Sequence, residues 1–221
     1  MIELKDITKI FQPNPLDTVV ALEDINLVIK KGETVVLKGA SGSGKSTILS
    51  LIAGLSKPTS GEVIVNQKRV SKLVDDFASL FRRENIGFIF QKYNLIPTLT
   101  VKENIIVPLI PTNPEPKMLE KKVDSVLKKF KLENKKNITV KNLSGGEQQR
   151  VAISRALINN PPIMIADEPT ANLDEKLSLE FINILKLLKD EGKTIVVATH
   201  DPLFFDLDFV DKIVEIKNGK C

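Results

Sequence analysis

The chain has 221 residues, of which 42% are hydrophobic and 27% are charged, and its formal net charge is +4 at pH 7. This length suits one sizeable domain that buries a large core. Because 32 basic residues are set against 28 acidic ones, the composition favours a mixed solvated surface over a basic nucleic-acid-binding stripe.

The compartment is indicated by the cysteine count and by the first residues. The single cysteine, Cys221, excludes an internal disulfide and favours a reducing compartment. The start, MIELKDITKI, has no apolar signal segment, and no apolar run approaches the roughly 20 residues of a membrane helix. We therefore expect a cytosolic protein that reaches a membrane only through a partner.

Strand patterns dominate the first part of the chain. The segment MIELKDI alternates apolar and polar residues, TVVALEDINLVI is rich in β-branched residues, and a KKGE turn leads into the strand TVVLKGA. A short helix follows, with apolar residues at 48, 49, 51 and 52 and an end near Gly54. The segment SGEVIVNQKRV is typical of a hairpin strand, and IGFIFQ of a further strand.

Residues 92–157 differ in pattern from the rest of the chain. Five prolines lie between positions 97 and 116, and the segment MLEKKVDSVLKKF places its apolar residues on one helical face. At the end of this block, LSGGEQQRVAISRAL predicts a helix that begins with a serine and two glycines, an arrangement suited to an anion. We predict an inserted helical subdomain over these residues.

The last third returns to strands and helices in alternation. PPIMIADE and KTIVVATH read as buried strands, with a helix between them whose apolar stripe runs from Leu177 to Leu188, and KIVEIKNGK reads as a closing hairpin. Continuously apolar strands separated by a helix indicate a parallel sheet covered on both faces. The predicted fold class is therefore α/β.

A phosphate-binding loop is the first functional motif. The segment GASGSGKST fits the pattern G-x-x-x-x-G-K-[ST] and lies between a predicted strand and a predicted helix, which disfavours a mere flexible turn. Its backbone N–H groups would wrap phosphates, Lys45 would reach the β- and γ-phosphates, Ser46 would bind Mg²⁺ and Thr47 would touch the α-phosphate. The other nucleotide-binding residues of the loop are Gly39, Ser41, Gly42, Ser43 and Gly44.

Polar residues at the ends of three other strands complete this site. Asp167 and Glu168 end a buried strand at the ligand crevice of an α/β sheet, so Asp167 suits the Mg²⁺ shell and Glu168 suits a general base. His200, the single histidine, ends another strand at the same edge and would contact the γ-phosphate and water. Gln91 is the last residue of IGFIFQ, where its amide would bind Mg²⁺ or water and sense a moving subdomain.

Together these motifs resemble those of the ATP-binding subunit of ABC transporters. The resemblance runs nearly end to end and includes GASGSGKST, Gln91, LSGGEQQR, IMIADE, ANLD at 171–174 and His200, in the family's order. The segments RRENIGFIFQKYNLIPTLTVKENI and DEPTANLD are similar to the branch that serves lipoprotein release, macrolide efflux and cell-division permeases. The resemblance implies a phosphate-loop ATPase core with a parallel central sheet. It divides the single domain into a nucleotide-binding core with an N-terminal antiparallel β subdomain, 1–91 and 158–221, and a helical signature subdomain, 92–157.

The resemblance also implies that each ATP is shared by two copies of the chain. In a symmetric head-to-tail homodimer, Ser144, Gly145 and Gly146 of one copy would bind the γ-phosphate of the Mg-ATP held by the other. Asp174 would link the two sites. Phe11 is similar to the aromatic residue that stacks on adenine, and a core phenylalanine is the alternative for this position.

The implied function is ATP hydrolysis that drives an integral membrane permease from the cytoplasmic face of the cell membrane, without nucleic acid. A groove near Gln91 resembles the surface that accepts a permease's coupling helix, with subdomain core as the alternative for its residues: Tyr93, Leu95, Ile96, Leu99 and Val101. One alternative function is an ATP-driven mechanical switch that moves no cargo. Two others are an ATPase acting on nucleic acid or ribosomes, for which the chain lacks basic extensions and a second cassette, and a regulator without hydrolysis, against which Glu168 and His200 argue.

Overall fold

The computed structural model describes residues 1–14, 17–171 and 173–221, and within these the strands form two sheets. One sheet is antiparallel, with the order β2-β1-β4-β5. Its strands are β1 (Ile2–Asn14), β2 (Asp17–Ile29), β4 (Ser60–Val65) and β5 (Lys68–Arg69). The other sheet is parallel, with the order β6-β7-β8-β3-β9. Its strands are β3 (Thr34–Lys38), β6 (Ile86–Ile89), β7 (Ile163–Asp167), β8 (Thr194–Thr199) and β9 (Lys212–Glu215).

The antiparallel sheet confirms the strands that were predicted at the start of the chain. In β1, Ile2, Leu4 and Ile7 are fully buried or nearly so, which breaks a strict alternation after Leu4. A register irregularity between Leu4 and Ile7, with Asp6 at φ 49°, supplies the extra residue of a β-bulge. The bulge lets both side chains face the same core.

The parallel sheet is buried on both faces, as its continuous apolar strands predict. Alternate residues of β8 divide between two hydrophobic cores: Ile195 and Val197 share one with the helices of residues 101–157 and 175–190, while Val196 and Ala198 share the other with the antiparallel sheet and the helix of residues 45–52. Every residue of β8 is therefore buried.

The predicted C-terminal hairpin is wrong in its pairing. Residues Lys212–Glu215 do not fold back on the following segment, because they pair in parallel with β3 as the fifth strand of the sheet. A single bridge between Lys217 and Lys220 closes a turn beyond it. The chain thus returns to the phosphate-binding loop, where the Gly219 N–H donates to Ser43 O at 3.0 Å.

The helices cover both faces of the parallel sheet. They are α1 (Lys45–Ile52), α2 (Asp75–Asn85), α3 (Val101–Ile106), α4 (Pro116–Lys129), α5 (Gly145–Leu157) and α6 (Glu175–Asp190). Three of them, α3 to α5, lie in the predicted helical subdomain and pack on Ile89 and Met164 of the sheet in one shared core. Helix α2, which buries only Ala78 and Phe81, was not predicted. The division of the chain at 92 and 157 stays a prediction.

The sheet positions the site through its carboxyl edge. Strands β3, β6, β7 and β8 are parallel neighbours, so the residues that follow them emerge at one edge.

Over the described part of the chain, none of the helices has the length and apolar content that a membrane crossing requires.

Candidate active site

The phosphate-binding loop joins β3 to α1 and ends at a helix N-terminus that is open to an anion. Within the described residues, α1 begins with neither an acidic side chain in its first turn nor a side-chain cap. Gly44 is required there: its φ is 108°, and a Cβ atom would lie 2.7 Å from Leu22 Cδ2 and 2.8 Å from Ala21 O. The loop therefore offers free backbone N–H groups and the positive end of the helix dipole.

Lys45 places a buried positive charge in this loop. Its side chain is 5% exposed, and its Nζ donates to Gly39 O at 2.8 Å and to Ala40 O at 3.0 Å. The same Nζ lies 3.3 Å from Glu168 Oε1. Two of its partners are neutral carbonyls, so a phosphate would be a stronger partner than either.

Ser46 and Asp167 form the oxygen pair expected of a magnesium site. Ser46 Oγ donates to Asp167 Oδ1 at 2.9 Å. Burial raises the pKa of the Asp167 carboxyl, the neighbouring Glu168 adds to the rise, and the Ser46 hydrogen bond opposes it. Hydroxyl and carboxylate oxygens fit Mg²⁺, and a cation there would favour the ionised carboxylate. Among the described residues, no cluster of three or more His, Cys, Asp or Glu could hold a metal.

Glu168 is held by Thr199, the last residue of β8, and by His200, which follows it. Its Oε2 lies 3.0 Å from His200 Nδ1 and accepts from Thr199 Oγ1 at 3.1 Å and from His200 N at 3.3 Å. Its backbone has a φ of 42°, a left-handed conformation that costs about 1 kcal/mol or more for a residue with a side chain. The strained backbone and three contacts fix the carboxylate at the mouth of the phosphate-binding loop.

Thr199 is a contact of Glu168 that the sequence analysis missed. The hydroxyl is fully buried, and it also accepts from Asp201 N at 3.0 Å. The pairing of Asp167 with Ala198 places the next residues of the two strands, Glu168 and Thr199, side by side. The sequence does show a hydroxyl residue directly before His200, but its contact with Glu168 can be inferred only from the register of the two strands.

A cleft of about 270 Å³ unites most of the predicted nucleotide-binding residues. Its lining comprises Ser41, Gly42, Ser43, Gly44, Lys45, Ser46, Thr47, Gln91, Glu168 and His200, together with Val19, Val20 and Ala21 of β2. The β2 wall was not predicted from the sequence. Two of its residues, Val19 and Val20, are half exposed, so they offer an apolar surface beside the loop.

Phe11 lies next to this wall. It is paired across the strands with Val19, its side chain is 42% exposed, and Lys9 Nζ lies 4.7 Å from the ring centroid. The alternative of a core phenylalanine is therefore wrong. Phe11 does not itself line the described cleft, so its stacking on adenine stays a prediction.

The signature segment lies outside this cleft. Ser144 caps α5, and its N–H and Oγ donate to Glu147 Oε2 at 2.9 and 3.0 Å, while Glu147 Oε1 pairs with Lys135 at 3.1 Å. These contacts hold the pKa of Glu147 below its usual range, chiefly through the Ser144 N–H. None of Ser144, Gly145 and Gly146 is part of the described lining of the cleft. The phosphate-binding role predicted for Ser144, Gly145 and Gly146 therefore stays a prediction.

Asp174 has a local structural contact. Its side chain caps α6 by accepting from Leu177 N at 2.8 Å, and the residue is exposed. Asn172 of the ANLD segment falls outside the described residues. The link that Asp174 was predicted to make between two sites stays a prediction.

The predicted permease groove requires a correction. Val101 is fully buried, because it opens α3 on the side that faces the shared core, and Leu95 also packs against that core. Only Ile96, 42% exposed, is a prominent surface residue of the predicted set. The concave surface beside Gln91 is instead a cleft of about 250 Å³. Its lining is Arg83, Ile86, Phe88, Phe90, Asn94, Val107, Pro108, Arg155, Ala156 and Asn159.

This second cleft is tied to the helix that the signature begins. Arg155 of α5 donates to Tyr93 O and to Asn94 O, each at 2.6 Å. Tyr93 and Asn94 both have a positive φ, at 59° and 47°. The Arg155 guanidinium therefore links α5 to the turn that follows Gln91.

Comparisons with known proteins agree on one family. Residues 22–171 match the family model described as ABC transporter. An uncharacterized ABC transporter ATP-binding protein of Methanocaldococcus jannaschii, MJ0796, is 45% identical over the whole of this chain and 94% of its own length. The macrolide export ATP-binding/permease protein MacB of Bartonella quintana is 42% identical over 91% of this chain, which spans only 30% of that larger protein.

Solved structures give the same result. A dimeric post-hydrolysis state of the MJ0796 cassette bound to ADP and Pi superposes with a TM-score of 0.90 at 44% identity, covering all of this chain and 96% of that one. CbiO1 of Clostridium perfringens, part of the transporter complex CbiONQ, has a TM-score of 0.84 at 30% identity, over 99% of this chain and 85% of that one. These similarities confirm the predicted α/β fold with its antiparallel and parallel sheets.

Proposed function

The chain belongs to the ABC transporter family of ATP-binding proteins, and on that premise we propose how its two phosphate-binding segments act. The protein is an ATPase that binds Mg-ATP and serves as the ATP-driven subunit of a transporter. Two copies close head to tail, and each ATP lies between the phosphate-binding loop of one copy and the signature segment of the other.

Gly145 is the observation that carries the proposal. It occupies the first turn of α5, is exposed, and does not have a positive φ. Apart from its chain neighbours and the backbone of its own helix, a Cβ built on it would meet no heavy atom of the described residues within 4 Å, so its own surroundings do not require glycine. Glycine in a helix interior costs about 1 kcal/mol relative to alanine, which is an upper limit for this first helical position. Glycine is tolerated here because a phosphate held by the other copy must come close to this surface, and a side chain would obstruct it.

The contacts of Lys45 and Glu168 give the order of events at each site. Bound ATP draws Lys45 from Gly39 O, Ala40 O and Glu168 Oε1 to its phosphates. Glu168 Oε2 is held by Thr199 and His200, so Oε1 is the oxygen that is left to accept a proton from the attacking water. Ser46 and Asp167 would hold Mg²⁺, which neutralises charge on the β- and γ-phosphates when it is bound.

Loss of the γ-phosphate reopens the dimer. In the single chain, Ser144 donates to Glu147, which is thus an internal replacement for the phosphate. Once hydrolysis removes the γ-phosphate of the other copy, Ser144 returns to this carboxylate. The difference in affinity between the ATP and ADP states supplies the motion.

The permease docks in the second cleft, at the cytoplasmic face of the membrane. The stacked rings of Phe88 and Phe90, 4.3 Å between centroids, give the cleft an aromatic side, and Arg83 and Arg155 give it positive charge. An amphipathic permease segment with an acidic residue fits both features. Filling the cleft with Asn159→Trp should shift the protein from the membrane pellet to the supernatant of its native host, with the ATPase rate of the purified protein unchanged.

Mixing two inactive variants tests the shared site. Lys45→Ala removes the phosphate-binding lysine, and Ser144→Arg blocks the signature. In a mixed dimer, one site keeps both wild-type segments, so an equimolar mixture should recover about a quarter of wild-type ATPase activity if the two sites act independently. Lack of any recovery, with both parents folded and able to mix, would contradict the proposal.

A further inference from the structure

Two neighbouring glutamines of α5 send their amides to different places. Gln148 Nε2 donates to Leu143 O at 3.1 Å, next to the start of its own helix. Gln149 is only 3% exposed, and its Nε2 donates to Pro169 O at 3.0 Å. A buried hydrogen bond of this kind leaves an unsatisfied group behind when either partner is removed. Gln149 therefore fastens α5 to the residue that directly follows Glu168.

Segment 168–170 is held from two directions. From the β8 side, Ala198 O accepts from Glu168 N at 2.8 Å, and Asp201 Oδ2 accepts from Thr170 Oγ1 at 2.7 Å. Among the described hydrogen bonds to this segment, the bond from Gln149 is the one that comes from α5. The left-handed backbone of Glu168 persists only where such contacts over-determine it.

On the proposed function, the two ends of this link serve different nucleotides. Ser144, at the start of α5, meets the ATP held by the other copy, whereas Glu168 acts on the ATP of its own chain. Gln149 lies five residues beyond Ser144, about one and a half helical turns along the same rigid element. We propose that Gln149 is a positioning residue that couples the two ATP sites. When α5 shifts on meeting the ATP of the other copy, the bond from Gln149 to Pro169 shifts Glu168 at the ATP of its own chain.

A pair of substitutions separates this role from a general effect on the helix. Methionine has a length similar to that of glutamine but lacks the N–H donor, so Gln149→Met removes the bond to Pro169 and Gln148→Met removes the bond to Leu143. For Gln149→Met we expect kcat to fall about tenfold and the Hill coefficient of ATP hydrolysis, which for two coupled sites lies above 1 and can reach about 2, to fall toward 1. The Kd of the monomer for Mg-ATP should change less than about twofold, because Gln149 is not part of the cleft lining. For Gln148→Met all three quantities should stay within about twofold of wild type.

Other results would overturn the proposal. Folded Gln149→Met with wild-type kcat and Hill coefficient would do so, and so would an equal loss in Gln148→Met. Wild-type protein that hydrolyses ATP without dimerising would instead contradict the proposed function. If circular dichroism shows that Gln149→Met is unfolded, Gln149→Asn replaces it, because its amide is one methylene too short to reach Pro169 and the same outcomes apply.

Discussion

The N-termini of α1 and α5 both follow or contain glycines, but they differ in how they are capped. The N-terminus of α1 has neither an acidic residue in its first turn nor a side-chain cap within the described residues, and a buried lysine lies beside it. The N-terminus of α5 is already capped, because Glu147 satisfies the Ser144 N–H and hydroxyl. On the proposed function, the first is a site that one chain nearly completes, and the second receives its anion from the other copy. Similar sequence motifs therefore acquire different roles from their surroundings.

The largest expected effect is at the first site. Lys45→Met removes the charge with little change in shape, so we expect the ATPase rate to fall about 10²–10³-fold, the range seen when a group that stabilises transition-state charge is lost. Lys193 is a matched control, because it is also buried and its Nζ donates to Pro161 O at 2.9 Å, outside the cleft. Lys193→Met should lower thermal stability and leave the ATPase rate of the folded protein intact. Equal losses of activity in both variants would refute the assignment.

A smaller effect is expected at the second site. Thr100 and Glu103 form a capping box on α3 like that of Ser144 and Glu147 on α5. Replacing either N-cap residue by alanine should cost about 1 kcal/mol of stability. Only Ser144→Ala should also weaken ATP-dependent dimerisation, by about tenfold, because only this hydroxyl meets a phosphate. Analytical ultracentrifugation of both variants with Mg-ATP measures the difference, and matching dimer affinities would remove Ser144 from the interface.

Gly145→Ala sharpens the comparison by separating stability from assembly. The added methyl group meets nothing in the described chain, and alanine is the better helix former, so the monomer should gain up to about 1 kcal/mol. The same methyl group should weaken the ATP-bound dimer several-fold because it lies where the other copy's nucleotide approaches. Thermal unfolding without nucleotide and dimerisation with Mg-ATP test the two parts. A variant that gains both stability and dimer affinity would refute our reading of this glycine.

In the absence of nucleotide, Asp167→Asn should show the smallest effect, and it should appear in stability. Since burial raises the pKa of Asp167 in the folded state, ionisation is less favourable there than in the unfolded chain. The resulting destabilisation begins as pH rises past the ordinary value of 3.8 and grows until the pH exceeds the folded-state pKa. Asp167→Asn keeps an acceptor for Ser46 and should raise the Tm at pH 7 by about 2 °C without nucleotide. It should also remove the stabilisation by Mg-ATP, and a lower Tm at pH 7 with that stabilisation intact would contradict this account.

Much of the site could be predicted because its chemistry is local in sequence. Lys45, Asp167, Glu168 and His200 each follow a strand whose apolar run is easy to recognise, and parallel strands bring their carboxyl ends together. The same locality made the phosphate-binding loop and the signature recognisable as separate segments.

The features that were missed depend on contacts between distant parts of the chain. The contact of Thr199 with Glu168 follows from strand register, and that of Gln149 with Pro169 from helix packing. Helix α2 escaped prediction because Phe77 and Leu80 of its apolar residues are exposed, at 62% and 37%. The Asn-Gly turn after Lys212–Glu215 suggested that this strand pairs with the segment that follows it. In the structure the strand pairs instead with the free edge of β3.

The central claim is that nucleotide joins two copies, and the mass of a hydrolysis-deficient variant tests it most directly. Glu168→Gln should bind Mg-ATP without turning it over, so the closed state should accumulate. Light scattering should then give twice the chain mass of 24.5 kDa with Mg-ATP and the single chain mass with Mg-ADP. The contradicting result is a Glu168→Gln protein that binds Mg-ATP and still has a mass of 24.5 kDa. The Mg-ATP concentration in this measurement should exceed about 100 times the Kd for Mg-ATP, so that the protein is saturated.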